Sequence, residues 1–184
     1  MKLSELIKEV NKDIDDSLSN AEITQWLNRG LDDLTPYVKH QKHQTYEVIA
    51  DQSKYPLPTD LVNIVYLFDE SNKRVNLVQF DDFSSTGYKM WGNDLILQPT
   101  PKLDSEMNLY YHARLPRLVN PDDIPVLPEQ YHDLLVLYAV AKAKYQDEEL
   151  EMQSSAWSDY LRRKDEFITF NQSNEIYTIQ EVYW

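Results

Sequence analysis

Four histidines are the first residues to test for chemistry: His40, His43, His112 and His132. His40 and His43 stand three apart, a spacing that on a helix places both on one face and could seat a metal. Functional zinc sites need three or four protein ligands, and no third is near in sequence. The pair also falls in a polar segment that runs into a strand, so it is read as solvated. His132-Asp133 has the residue types for two parts of a catalytic triad, but no serine in a strained nucleophile turn accompanies it. Near a helix start these two read as surface or capping groups. Adjacent carboxylates occur at Asp15-Asp16, Asp81-Asp82, Asp122-Asp123 and Asp147-Glu148-Glu149. Paired acids can do acid–base work or bind cations. These sit in expected loops or helix ends without EF-hand spacing, so they are read as solvated charge. The dense basic run Arg162-Arg163-Lys164 has acids on both sides and reads as one flank of a solvated helix. No catalytic, metal or cofactor-binding residue is assigned, and the chain is read as a non-enzyme that needs no cofactor.

Composition points the same way. The 184 residues are long enough for one ordinary domain, and 42% hydrophobic with 27% charged residues are globular values. With no cysteine, disulfides, thiolate zinc ligands and thiol nucleophiles are excluded, and 3 glycines are too few for a Gly-rich phosphate cradle. The net charge of −13, from 31 acids against 18 bases, suits a poor general binder of DNA, because duplex affinity comes mainly from Lys and Arg neutralising phosphates. Thirteen tyrosines and 4 tryptophans supply large apolar area with a polar tip, which fits interfaces as well as cores. Residues 1–20 hold no apolar run long enough for a signal peptide, and no stretch approaches the roughly 20 apolar residues of a membrane span. The expectation is a protein made in the cytosol and used there, or in something assembled there.

The elements follow from periodicity. Leu3, Leu6, Ile7, Val10 and Ile14 recur at helical spacing. After the polar break 17–20, Ser19 with Glu22 fits a capping box. Ile23, Trp26, Leu27, Leu31 and Leu34 then form a second stripe, which Pro36 ends. Two such helices joined by a short loop predict a hairpin over 1–43. Over 44–115 the period becomes two. Thr45–Ala50, Ile64–Asp69, Leu95–Leu97 and Met107–Ala113 read as strands, with turns at Glu70–Lys73 and Gly92–Asp94. Val75, Leu77 and Val78 read as the return strand of a hairpin. Four to six antiparallel strands in one small sheet are expected. Leu127-Pro128-Glu129 starts a helix, since proline is tolerated in the first turn and an acid is favoured there. Tyr131, Leu134, Leu135, Tyr138, Ala141 and Tyr145 form its stripe. Trp157, Tyr160, Leu161, Phe167 and Ile168 form a further helical stripe through 170, either continuous with that one or bent from it, and 171–175 break it. Trp26 and Trp157 are both expected inside one helical core.

The C-terminal nine residues stand apart. Ile176, Tyr177, Ile179, Val182, Tyr183 and Trp184 form an apolar, strand-prone end after a polar break. Such a segment wants a partner edge or groove, or folds back on its own sheet. These six residues are the candidate partner-binding set, and 171–184 is read as an extended tail.

Several stretches, in order, resemble the head-to-tail connector (adaptor) proteins of tailed bacteriophages. Leu27-Asn28-Arg29-Gly30-Leu31-Asp32-Asp33-Leu34 resembles the family's second helix. Tyr55-Pro56-Leu57-Pro58-Thr59-Asp60-Leu61 resembles its Leu-Pro-x-Asp turn. Gly92–Pro101 and Leu109-Tyr110-Tyr111 resemble its central strands. Leu127–Leu135 resembles the start of its long C-terminal helix. The resemblance covers most of residues 20–145, and after Phe170 no residue-by-residue match is made. It implies a single α+β connector domain in which the N-terminal hairpin and long C-terminal helices (127–170) pack together around a small antiparallel β insertion. It also implies a homo-oligomeric ring, usually of twelve copies, between the portal protein and the tail or a second connector. DNA passes through that ring without specific binding, as a conduit for ejection. The implied location is the virion, assembled in the host cytoplasm. The alternatives are a tail terminator or tail-completion protein, or a carbohydrate-binding or enzymatic domain using its tyrosines as stacking platforms. The last of these requires a pocket with convergent polar groups.

Overall fold

The computed structural model describes residues 1–14, 18–146 and 150–173, and these form a mixed α/β chain with four α-helices and two small antiparallel sheets. Two compact units divide it: one built from residues up to Val38 and from Leu115 onward, the other from Lys39–Arg114.

The helical unit contains α1 (Leu3–Val10), α2 (Asn20–Leu34), α3 (Asp133–Gln146) and α4 (Leu150–Ser173). At the start of α2 the Ser19 hydroxyl accepts from the Glu22 N–H at 3.3 Å, and the Glu22 carboxylate accepts from the Ser19 N–H at 3.1 Å. This is the capping box read from the sequence. The free N–H groups opening α1 go to a loop instead, with Leu3 donating to Asp123 O at 2.8 Å and Ser4 to Pro121 O at 3.0 Å. Asp123 holds that loop by accepting from the Val119 and Asn120 N–H groups, both at 2.7 Å.

Leu3, Leu6 and Val10, the α2 stripe, and most of α3 share one apolar cluster with Tyr160 and Phe167 of α4. Each fully buried Leu or Ile contributes about 1.5–3 kcal/mol. Gly30 sets how closely α2 meets α3, because a Cβ there would lie 3.2 Å from Leu135 Cδ2. Asn28 is buried within this cluster without penalty: its amide donates to Leu118 O (2.9 Å) and accepts from Leu118 N–H (2.8 Å).

Three sequence expectations are corrected here. Trp26 is buried, but Trp157 is only partly so, packed at the cluster's rim against Tyr138 and Tyr160. Tyr145 and Leu161 point outward at 64% and 49% exposure, because the apolar face of each helix turns away from those positions. The helix expected to end at Phe170 runs on through Ser173, three residues into the expected break at 171–175. The chain enters α3 through a short 3-10 turn, Glu129–Tyr131, for which Pro128 supplies the N-cap.

The β unit contains β1 (Gln41–Val48), β2 (Lys54–Pro56), β3 (Leu61–Asp69), β4 (Gly87–Trp91), β5 (Asp94–Gln98) and β6 (Ser105–Ala113). They form two sheets rather than the single sheet expected, in the orders β1–β6–β3 and β2–β5–β4. Tyr46, Val48, Leu67, Met107, Leu109 and Tyr111 from the first sheet bury against Tyr55, Tyr88 and Leu95 from the second. Each strand offers alternate residues to this core. Gly92, at φ +59°, makes the β4–β5 turn where the sequence placed it.

The hairpin expected after β3 is corrected too. The turn forms, with Asp69 Oδ1 accepting from the Ser71 and Lys73 N–H groups, and Val75 still donates to Leu67 O. Beyond Val75 the chain leaves β3, whose partner is β6, and crosses to β4. There Tyr88 N–H donates to Asn76 O and Val78 N–H to Tyr88 O. Gly87 makes this possible: a Cβ at that position would lie 2.2 Å from Asn76 O.

Candidate functional site

The structure separates most of the residues that the sequence offered as candidates. His43 lies on β1 and His40 just before it, so the helical spacing that would bring both to one face is absent. His43 is on the outward face of β1, and the His40 Nε2 is buried without a hydrogen-bond partner. His112 meets Asn63 Oδ1 at 3.0 Å across the strands. Among the described residues, no group of three or more His, Asp or Glu could hold a metal ion.

Asp133 opens α3 with its side chain 47% exposed, as expected of a group at a helix start, but His132 is not the surface group expected. His132 is 2% exposed, with Nε2 3.1 Å from Leu127 O and Nδ1 2.6 Å from the Met1 nitrogen. Burial lowers its pKa, so the ring sits neutral within the core. Asp133 turns away to meet Arg163 Nε at 2.8 Å. The basic run is likewise not one solvated flank. Arg162 stays outside, whereas Arg163 bridges Asp133 and Glu166 and Lys164 pairs with Asp33. The cause is helical geometry, which sends three consecutive side chains in three directions.

Asp82 accepts from the N–H and hydroxyl groups of Ser84 and Ser85, and those bonds hold its carboxyl far below the usual carboxylate range. It organises a loop, as Asp123 does. Asp122 pairs with Lys2 at 2.8 Å on the surface. Asp15-Asp16, Asp147-Glu148-Glu149 and the tail set Ile176, Tyr177, Ile179, Val182, Tyr183 and Trp184 lie outside the described residues.

What the fold does bring together is an aromatic face that the sequence reading missed. On the outer side of the β1–β6–β3 sheet, Tyr66 and Phe68 of β3, Tyr110 of β6 and His43 of β1 lie in one patch. Centroid distances are 5.7 Å for Tyr66–Phe68, 5.9 Å for Phe68–Tyr110 and 5.4 Å for His43–Tyr110, and the Arg74 guanidinium lies 5.1 Å from the Tyr66 centroid. Tyr66 and Tyr110 are 44% and 43% exposed. The register pairs Tyr66 with Tyr110, and no strand by itself reveals that pairing. The available signal was alternation: Leu67, Leu109 and Tyr111 point inward, so Tyr66, Phe68 and Tyr110 must point out.

The polar groups beside these rings are committed to one another. Thr45 Oγ1 donates to Asn108 Oδ1 at 2.7 Å, and Lys42 pairs with Asp60 at 2.6 Å. The Lys42 bond leads among the causes that lower the Asp60 pKa, with the Tyr111 hydroxyl adding to it. Thr45 Oγ1 also lies 3.3 Å from His43 Nε2, but its proton goes to Asn108 Oδ1. In the helical unit a second apolar surface occurs as an open groove of about 640 Å³, lined by Leu3, Ile7, Ala21, Thr24, Leu118 and Val119 among others.

The described residues thus form a mixed α/β chain with an exposed aromatic face on one sheet and an open apolar groove in the helical unit. No helix among them is long and apolar enough to cross a membrane. The model of the SU10 adaptor protein family matches residues 1–176, and the chain belongs to that family of phage head–tail adaptors. Among curated proteins, none matches the chain.

Proposed function

We propose that this chain is the subunit of a homo-oligomeric adaptor ring, of twelve copies by family analogy, that joins portal to tail and lets DNA pass. The observation that carries the reading beyond family membership is the outward face of Tyr66, Phe68 and Tyr110, a large aromatic area open to a partner chain. The net charge of −13 suits a conduit that DNA crosses without sticking. The shared apolar cluster of α1, α2, α3 and α4 supports an N-terminal hairpin and C-terminal helices packed together, and the compact unit Lys39–Arg114 supports reading 44–115 as an insertion in one connector domain. A carbohydrate-binding role would need free polar groups around the rings, and Thr45, Asn108, Asn63 and His112 are already bonded in pairs.

In this reading the segment with Ile176, Tyr177, Ile179, Val182, Tyr183 and Trp184 adds a strand or wedge to a neighbouring subunit, portal or tail component. Ring closure multiplies a modest contact, so a small loss per subunit shows clearly in assembly.

Light scattering after size-exclusion chromatography tests the reading, first on the protein alone and then mixed with the portal. A ring on the portal is the expected result. Tyr66→Ser with Tyr110→Ser, and deletion of 176–184, should each leave a folded protein that fails to join heads. Association with tail tubes but never with portal would assign tail completion instead. No association with any head or tail component would sink the reading. Submicromolar binding to random duplex at about 150 mM salt would contradict the conduit, since non-specific values usually run from roughly 0.1 mM to 1 μM.

A further inference from the structure

The β2–β5–β4 sheet carries a buried ammonium with no counter-charge among the described residues. Lys89 on β4 is 5% exposed. Its Nζ donates to Phe80 O at 3.0 Å and lies 4.5 Å from the Phe83 ring centroid and 5.7 Å from that of Phe80. Among the described residues, no carboxylate pairs with it. An ammonium has three protons to donate, and one carbonyl takes only one of them. Two ring faces offset part of the remaining cost of burial, yet a charge removed from water is normally paired.

The surroundings are open on one side. Lys89 lines a cavity of about 410 Å³ with Phe80, Phe83, Gln98, Ser53 and Thr100 among its walls. Phe83 is 83% exposed, and Phe80 stacks on Trp91 at 4.8 Å, with Trp91 itself 65% exposed. The loop that carries both phenylalanines is fixed: the Gln98 amide donates to Asp82 O (2.9 Å) and Ser85 O (2.7 Å). A rigid pocket with a cation at its base and a rim of aromatic rings is shaped for a carboxylate borne on an apolar stem. Aromatic anchors around a desolvated polar contact are the usual form of an interface hot spot.

We infer that the Lys89 pocket, walled by Phe80 and Phe83 with Trp91 stacked on Phe80, receives an Asp or Glu side chain from a second copy of this chain. Charge complementarity selects that occupant. With 31 acids against 18 bases, every copy presents surplus carboxylates to its neighbour, and like-charged surfaces need a cation at their contact. A pocket on one face and a carboxylate on another give a heterologous contact, the kind that closes into rings. The inference rests on the ring proposed above. A nucleic-acid strand is the poorer occupant, because one recessed ammonium cannot follow a phosphate backbone.

Carbodiimide cross-linking of rings assembled on the portal from equal parts of ¹⁴N- and ¹⁵N-labelled protein tests it, since the reagent joins an amine to a carboxylate in contact. Mass spectrometry should find an isopeptide bond between Lys89 and an Asp or Glu of the other isotope. Lys89→Met should keep or raise the melting temperature, because it removes a buried charge, while raising the concentration needed for ring formation about tenfold or more. Rings that form normally with Lys89→Met, or in which Lys89 joins only the portal or nothing, overturn the inference and leave the adaptor reading standing. Wild-type protein that never forms rings overturns the adaptor reading and takes this inference with it. A loss of DNA binding on Lys89→Met, with rings intact, would assign the pocket to a nucleotide and overturn it as well.

Discussion

Lys164 Nζ lies 2.6 Å from Asp33 Oδ2 and so ties α4 to α2. The same carboxylate oxygen accepts from the Tyr160 hydroxyl, whose pKa is raised by burial first and then by this bond. The Lys164 side chain is 15% exposed, and its ammonium also lies 4.9 Å from the Tyr37 ring centroid. One carboxylate therefore serves two donors from successive turns of one helix. Asp33→Ala strands both, and should cost about 1.5–3 kcal/mol, the range for hydrogen bonds to charged groups. Lys164→Met keeps the apolar stem and should cost less. Denaturant titration of the double variant should show a loss smaller than the sum by about 1 kcal/mol, and simple additivity would show that the pair is not coupled.

The two tryptophans that the sequence placed together separate by burial. Trp26→Ala removes a side chain that is 8% exposed and should cost about 3–5 kcal/mol. Trp157 sits at the rim, 5.2 Å from Tyr160 and under the Lys142 ammonium at 5.0 Å, so Trp157→Ala should cost clearly less. Equal losses in thermal melts would place Trp157 inside the core after all.

How far the sequence is legible depends on whether a feature is local. The Ser19–Glu22 cap, the α2 stripe and the Gly92 turn are set by residues within one or two turns of chain, and the structure has them where periodicity and turn chemistry place them. Long-range pairings are different. That β3 lies beside β6, and that 76–78 crosses to β4, depends on Gly87 meeting a backbone carbonyl ten residues or so away, a contact no pattern announces. His132 looks like a surface group because polar neighbours flank it, yet its two partners come from Leu127 and from Met1 across the fold. The aromatic face of Tyr66, Phe68 and Tyr110 needed the register of three strands.

Gly87 gives a direct test of that crossing. A methyl group there would stand 2.2 Å from Asn76 O and 2.5 Å from Val78 Cγ2. The first contact is backbone, so the segment must move. Gly87→Ala should destabilise the protein by about 1–3 kcal/mol, the usual cost of overpacking. Gly92→Ala meets no atom within 4 Å but must hold φ +59°, and should cost roughly 1 kcal/mol. Hydrogen exchange should show the Gly87 variant losing protection at Val78 and Tyr88, whose N–H groups make the crossing bonds. Unchanged protection there would mean that the close approach is not needed.

His132 sets the behaviour of the protein in mild acid. Burial lowers its pKa and the adjacent Met1 nitrogen lowers it further, while the carbonyls of Leu127 and Pro125 and the charge of Glu129 oppose them. The unfolded ring titrates near its ordinary value of about 6.5. Below that pH the unfolded chain binds a proton that the folded chain resists, so stability rises with pH across the window. The contribution is complete above about pH 6.5 and is lost as pH falls toward the lowered folded value. His112, also lowered mainly by burial, adds a second slope of the same sign. The carboxylates lowered by their partners, Asp60 and Glu166, titrate at lower pH and leave this window alone. Melting temperature should therefore fall between pH 7 and pH 5 in the wild-type protein. His132→Gln should begin from a lower melting temperature, because it disturbs a buried site, but fall less steeply over the same range. Parallel curves for the two proteins would show that His132 does not carry the proton linkage.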